Sequence, residues 1–593
     1  LVCPSSGAGP RRALRRLREA DRTGGSGAAR PVRLAWVSGV PDRERGSASV
    51  MAPTHEVFNQ PSPLADYDVS ADPALLEGLE REGGGWAVEQ VRELGRLAGS
   101  ASARSWAEQA NTCTPVLRTH DRYGHRIDEV DFHPAWHVLV DTAVTHGLHA
   151  APWAEDRAGA HVARAAKFFV WSQAEAGHGC PISMTYAAVP ALRHAPDLAA
   201  RFEPLLTARV YDFGLRPPHT KRGLLAGMSM TEKQGGSDVR ANTTRAVAAP
   251  DGTYRLRGHK WFTSAPMGDL FLTLAQTAEG LTCFLVPRVL EDGSRNALSI
   301  QRLKDKLGNR SNASAELEYD GAHAWLVGEP GRGVRTIIEM VNATRLDCVI
   351  GSAAGMRAAL SEALHHAAER RAFGKRLVEQ PLMRNVLADL ALESEAATAL
   401  MLRLAGATDR AVRGDAREAA FRRLAVPVGK FWVTKRQVVH VAEALECLGG
   451  NGYVEESGMP RLFRESPLNS LWEGSGNVTA LDALRAMRRE PDSVEAFRAE
   501  LALAEGADPR LDAAVQRLLA DLAAPESAEY RARSVVAAMA LCLQASLLVR
   551  HAPAAVADAF VASRLDGGWG RVPGMLPASA DTAAILERAR PRR

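Results

Sequence analysis

At 593 residues the chain is too long for one hydrophobic core, so three or four domains are expected. It is 46% hydrophobic, 24% charged and 6% aromatic, which excludes a low-complexity chain; no run of eighteen apolar residues appears, which argues against a membrane span. The net charge of +4 does not mark a basic protein: residues 1–50 carry ten Arg and four acids, a net of +6, and subtracting it leaves residues 51–593 near −2.

Residues 1–50 are Arg-, Gly- and Ala-rich with little hydrophobic periodicity, and read as a disordered or mis-called extension ahead of Met51, the first methionine. From about 76 to 225 apolar residues recur at spacings of three and four, as in HVARAAKFFVWSQAEAG, so 51–227 is expected to be a helical domain. The period then changes. TTRAVAAPDGTYRLRGHKWF alternates on both sides of Asp251-Gly252, and LFLTLAQTAEGLTCFLVPR does so around Ala278-Glu279-Gly280. Two hairpins within a compact β domain over 228–330 are predicted. Long helical patterns return in GMRAALSEALHHAAERRAF and PLMRNVLADLALESEAATALMLRLAGA, so 331–487 reads as a helical bundle, and Ala- and Leu-rich 488–593 as a further helical domain. The seven cysteines are scattered with no CxxC pair, which points to a reducing cytoplasm, no disulfide frame and no metal site.

One stretch is unusual. GMSMTEKQGGSDVRANTT, residues 227–244, crowds turn formers and small polar groups between an apolar segment and a strand-like Thr pair. A glycine-rich turn beside a β element can offer several N–H groups to an anion or a flavin edge. Alone, QGGSD is more often a plain turn. Further stretches alter that balance: GHKWFTSAP (258–266), RRAFGKRLVEQPLMR (370–384) and CLGGNGYVEESGMPRLFRESPLNSLWEGSGNV (447–478).

In this order they resemble the acyl-CoA dehydrogenase family of flavoproteins: a Thr-Glu loop ending in Gly-Ser-Asp, Trp-x-Thr, Arg-x-x-Phe-Gly, Leu-Gly-Gly-x-Gly-Tyr and an aromatic-Glu-Gly segment. The resemblance implies a multidomain α+β fold, with an N-terminal helical domain, a central β-barrel-like domain, a four-helix bundle and, here, an extra C-terminal helical domain. It implies FAD as cofactor and an acyl-CoA as substrate, and leaves the electron acceptor open. By the same resemblance Met228, Met230 and Thr231 line the pyrimidine end of the flavin, and Gly236 and Ser237 approach the pyrophosphate. Trp261, Phe262, Thr263 and Ser264 form the strand at the isoalloxazine, with Thr263 near N5. Arg370, Phe373, Gly449 and Gly450 reach the FAD of a neighbouring subunit, and Ser475 and Asn477 touch the nucleotide. Sharing FAD in this way implies a homo-oligomer, a dimer of dimers.

Glu473 matches the family's catalytic base. Some members place the base on an earlier helix just before an Arg; here Thr344 precedes Arg345, and a Thr cannot take that role. Asp347 is expected to face another side of that helix. The family's usual Pro after Thr-Glu is Lys233, either a surface charge or a change to the substrate mouth.

VFNQP, FHPAW, TEKQGGSDV, RLKDKLGNRSNAS and the C-terminal block further resemble the adaptive-response subfamily. That implies a link to the DNA-alkylation response and binding of double-stranded DNA, with weak or vestigial dehydrogenase activity as the alternative reading. Arg485, Arg488 and Arg489 are the candidate DNA contacts, beside a stripe of nine basic residues over 403–436. Residues 485–593 as a whole hold fifteen Lys/Arg against fourteen Asp/Glu, no general basic excess.

Overall fold

Proline and side-chain caps decide where the first helices begin. The computed structural model describes residues 54–523, 528–566 and 572–592, so the reading of residues 1–50 lies outside the described residues. Asp72 accepts from the Ala74 amide ahead of Pro73–Arg81, and His133 from the Ala135 amide ahead of Pro134–Thr145. Six further helices or helical turns bring the chain to Pro196–Leu206. A hairpin, Val116–His120 with Arg126–Asp131, interrupts them, and helical periodicity gave no sign of it. Its alternation is short and mostly exposed, so apolar spacing carries little of its signal.

Both predicted hairpins form: Arg245–Ala248 pairs with Tyr254–Ser264, and Leu270–Thr277 with Gly280–Pro287. Ser314–Val327 pairs with Tyr254–Ser264 on one side and Gly280–Pro287 on the other. A contact between Arg245 and Gln276 closes the ring, which makes the seven-stranded sheet barrel-like. Ala226–Ser229 joins its edge in parallel with Leu270–Thr277.

The bundle comprises Gly333–Glu369, Pro381–Val412, Ala416–Glu446 and Gly476–Arg489. The extra block packs onto it: Arg564 engages Asp389, the Gly574 amide donates to Asp389 Oδ2 at 2.8 Å, and Arg588 pairs with Glu395 at 2.9 Å. Within that block, Ala528–His551 is long and apolar enough to cross a bilayer by length and composition, although it holds no uninterrupted apolar run of eighteen. Two-thirds of its apolar window is buried inside the protein, with Val536, Met539 and Leu543 fully covered. It is the spine of the extra block. One apolar cluster runs from the N-terminal helices through the bundle to this block, and a second ties Gly179–Leu192, the barrel and the start of Gly333–Glu369 together. The candidate site lies where barrel, bundle and N-terminal helices meet.

Candidate functional site

A buried carboxylate organises the 228–244 loop. Glu232 is fully buried and accepts from Lys260 Nζ at 3.0 Å, the Thr243 amide at 2.7 Å, the Thr243 hydroxyl, the Thr244 amide and Gln234 Nε2. Burial pushes this carboxyl up, but Lys260 and those donors together hold it well below the usual carboxylate range. The loop ends are thereby stapled to the barrel. Between them the amides of Gly236, Ser237 and Asp238 have no protein acceptor among the described residues. Gly236 is packed against Thr231, whose Oγ1 would lie 2.6 Å from an added Cβ. This is the geometry an anionic or flavin edge requires, and it fits the cofactor that the sequence implies.

Facing the loop, the Tyr254–Ser264 strand is irregular. Lys260 pairs with Leu317 and Thr263 with Ala315, so three steps on one strand oppose two on the other. This β-bulge turns both Trp261 and Phe262 outward, with the ammonium of Lys304 3.1 Å from the Trp261 ring centroid and 4.8 Å from that of Phe262. Thr263 returns inward. It is fully buried, and its hydroxyl pairs with Ser229 Oγ at 2.5 Å. The Trp261 amide donates to the Thr231 carbonyl at 2.8 Å, which joins strand and loop. Met228, Met230 and Ser264 are half-buried beside them. Lys233 is exposed, with Nζ 5.7 Å from the Trp261 centroid, so it stands beside this ring rather than away from the site.

Glu473 sits in a strained turn. Its φ of 58° is in the left-handed region and Gly474 follows at 96°; a non-glycine residue there persists only where its surroundings hold it. Three consecutive carbonyls supply that hold. Lys430 Nζ donates to Trp472 O at 2.9 Å and to Gly474 O, and Arg345 Nε donates to Glu473 O at 3.0 Å. Arg345 is fixed in turn by Asp482 at 2.6 Å. The side chain is treated differently. Thr344 donates its hydroxyl to Glu473 Oε2 at 2.6 Å, the one hydrogen bond to this carboxyl among the described residues. Burial raises the Glu473 pKa; Thr344, Lys430 and Arg345 offset it in part.

The carboxyl opens onto a cavity of about 890 Å³ of atom-free space, including its mouth, walled by the Ala160–Ala174 and Gly179–Leu192 helices, Gly333–Glu369 and the 459–473 segment. Cys180 and Cys348 line it with thiols pushed up by burial to about 11 and about 12, so they are inert near neutrality. Asp347 lines it as well, contrary to the expectation that it faces elsewhere: residues three apart share a helix face. Its carboxylate is occupied, because the buried Arg164 grips both oxygens, with Nη2 to Oδ2 at 2.8 Å.

The remaining candidates surround this centre. Phe373 is 98% exposed at the tip of a small hairpin, Arg371–Ala372 with Lys375–Arg376. Arg370 donates to the Asn59 carbonyl at its base. Gly449 and Gly450 are exposed in open space. Ser475 is the N-cap of Gly476–Arg489, and Asn477 Oδ1 accepts from Arg533 of the extra block at 3.1 Å. Arg485, Arg488 and Arg489 are exposed on that same helix. Most of the predicted 403–436 stripe is not a free basic face. Arg403 pairs with Glu418 and Glu500, Arg410 with Glu82, Arg423 with Asp482 and Glu490, and Arg436 with Glu393, while Lys430 is buried under the Glu473 turn. Glu418 lies within the stretch, but Glu82, Asp482, Glu490 and Glu500 lie outside it, so a local charge count could not show them. The pairing of Glu232 with Lys260 and the hold of Arg345 and Lys430 on the Glu473 turn were not visible in the sequence either, although a lone Lys inside an alternating strand hints at a buried partner.

Residues 59–213 match the adaptive response protein AidB N-terminal domain, 227–322 the acyl-CoA dehydrogenase middle domain and 331–488 the acyl-CoA dehydrogenase C-terminal domain. The chain belongs to the acyl-CoA dehydrogenase family. It is similar to the protein of Escherichia coli strain K12 named "Putative acyl-CoA dehydrogenase AidB", at 48% identity over 519 residues, covering 86% of this chain and 95% of that one. Acyl-CoA dehydrogenase family member 11 of Caenorhabditis elegans is 34% identical, over 74% of each chain. The solved structure of the C. elegans ACDH-11 protein in complex with C11-CoA superposes with a TM-score of 0.77 at 28% identity, covering 91% and 93%. That of Bd2924 in its apo form gives 0.77 at 30% identity, covering 84% of this chain and all of the other. Acyl-CoA dehydrogenase family members bind FAD, and the open amides of the 236–238 turn with the outward Trp261 suit that cofactor.

Proposed function

We propose that the chain removes two hydrogens from an acyl-CoA thioester, across Cα and Cβ, with Glu473 as the proton acceptor. One observation carries the reading: a carboxyl held on a strained turn at the cavity, its backbone fixed by two cations and its side chain by a single hydroxyl. Such a group is positioned firmly and solvated poorly, which raises its basicity toward that of a thioester α-carbon. The Glu473 amide has no protein acceptor among the described residues and is free to donate to the thioester carbonyl as the α-proton leaves. Glu473 takes that proton, the Cα–H electron pair forms the double bond, and the β-hydrogen departs with its pair. FAD, when bound, supplies the acceptor for that hydride. Met228, Thr231 and Trp261 would hold its ring, and the 236–238 amides its phosphates. The C11-CoA bound by the C. elegans relative supports a CoA thioester as substrate.

The exposed Arg371–Arg376 hairpin, with Phe373 and Arg370, suits a cofactor site completed by a second copy in a dimer of dimers, and the cytoplasm is the expected compartment. A second reading, docking on double-stranded DNA in an alkylation response, rests on the exposed Arg485, Arg488 and Arg489 and on the match of residues 59–213 to an adaptive response protein domain.

Anaerobic titration of the FAD-loaded protein with a panel of acyl-CoAs tests the first reading, beside duplex binding at graded salt. Bleaching of the flavin by at least one acyl-CoA is expected. No bleaching together with salt-sensitive duplex binding would favour the second reading instead.

A further inference from the structure

The cavity beneath Glu473 does not end as an alkyl pocket should. It follows the Gly333–Glu369 helix from Thr344 past Gly351 to Gly355, about 16 Å of helix at roughly 1.5 Å per residue. At Gly355 an added Cβ would lie 2.3 Å from Gln437 Nε2, so the glycine makes room for that amide. Among the described residues Gln437 Oε1 is buried without a hydrogen-bond partner, and so is Arg461 Nη1; both residues line the cavity. The hydrogen bond that Arg461 does make runs from Nη2 to the Ala174 carbonyl at 3.3 Å. One turn further along the same Met459–Glu465 helix, Glu465 also faces the cavity.

The 306–312 loop closes this end. Gly308 packs so tightly that an added Cβ would lie 2.4 Å from the Arg464 carbonyl, and the Asn309 amide donates to Glu465 Oε1 at 2.8 Å. Burial, with Glu175 nearby, pushes the Glu465 carboxyl up to about 7, so its acid form, a hydrogen-bond donor, is well populated up to about that pH. Glu175 is fully occupied, accepting from Asn111, Gly177, Ser311 and His178. The end therefore gathers a guanidinium, an amide that can turn its NH2 inward and a carboxylic acid, all able to donate. An alkyl terminus placed there would strand them at a cost.

We propose that the acyl group taken by this cavity ends in a carboxylate, received by Arg461 with Gln437 and Glu465. Arg461 supplies charge-assisted hydrogen bonds, and the neutral Glu465 donates rather than repels. The assignment of the thioester end to the Glu473 side rests on the dehydrogenase reading above; the polar end stands on its own residues.

Binding calorimetry on the FAD-loaded protein compares undecanoyl-CoA with the mono-CoA thioester of undecanedioic acid, equal in length. The diacid thioester is expected to bind at least about tenfold more tightly. Arg461→Gln should bring the ratio of the two affinities close to one with FAD content retained, and Arg461→Lys should restore part of the preference. Equal or weaker binding of the diacid thioester, or a preference intact in Arg461→Gln, overturns the proposal. Flavin bleaching is followed in the same titrations. An Arg461-dependent preference without bleaching would remove the dehydrogenase reading and leave the polar end supported.

Discussion

Two glutamates taken out of water are pushed in opposite directions in this molecule. Glu232, in the barrel loop, is ringed by Lys260 and donors from Thr243, Thr244 and Gln234, and stays ionised well below the ordinary range. Glu473, at the bundle cavity, has one hydroxyl, and burial raises it. Both are placed firmly, but the means differ. In Glu232 the hydrogen bonds fall on the carboxylate itself; in Glu473 they fall on the backbone around it. Saturating a carboxylate makes it a staple, whereas fixing its main chain leaves the oxygens free to take a proton.

The largest effect that would sharpen this contrast is on turnover. Glu473→Gln is expected to lower flavin reduction by acyl-CoA by about 10²- to 10⁴-fold, with FAD content and Tm retained, as read by stopped-flow bleaching. The converse holds for the staple. Glu232→Ala leaves the buried Lys260 ammonium without its carboxylate and should cost about 3–5 kcal/mol in denaturant unfolding, with loss of bound FAD. Retained FAD and stability in that variant would break the comparison.

A smaller effect concerns pH and Glu465. Its pKa rises from 4.5 to about 7 on folding, so the folded protein keeps a proton that the unfolded chain releases. The contribution of this group to stability is complete below 4.5 and is lost as pH rises through about 7. Glu465→Gln should flatten that part of the Tm–pH curve. The smallest effect is expected at Thr344. Its hydroxyl lowers the Glu473 pKa, so Thr344→Val should move the acid limb of the kcat/KM–pH profile to higher pH and change the plateau little.

What the sequence made legible was local. The Thr-Glu loop, the Trp-x-Thr strand, the two Gly-bearing hairpins and Glu473 all announced themselves within short stretches. What it hid was pairing across distance. Thr344 meets Glu473 across 129 positions, and Arg403 meets Glu500 across 97, so no window could show that one bonds this carboxyl or that the other dissolves a basic stripe. The bulge at Trp261 was hidden for a different reason. It is a mismatch of register with Ser314–Val327, a property of two strands rather than of one. Thr263, expected near the flavin N5 from the family resemblance, is turned by the bulge into the barrel, where its hydroxyl pairs with Ser229.

The most direct test is exchange at the α-carbon. A 3-thiaacyl-CoA, with sulfur at the β position, cannot lose a β-hydride, so its α-protons report proton removal alone. In D2O, the FAD-loaded wild-type protein should wash deuterium into that position, and Glu473→Gln should do so at least about a hundredfold more slowly. Exchange at the wild-type rate in Glu473→Gln would contradict the account, since another group would then be taking the proton.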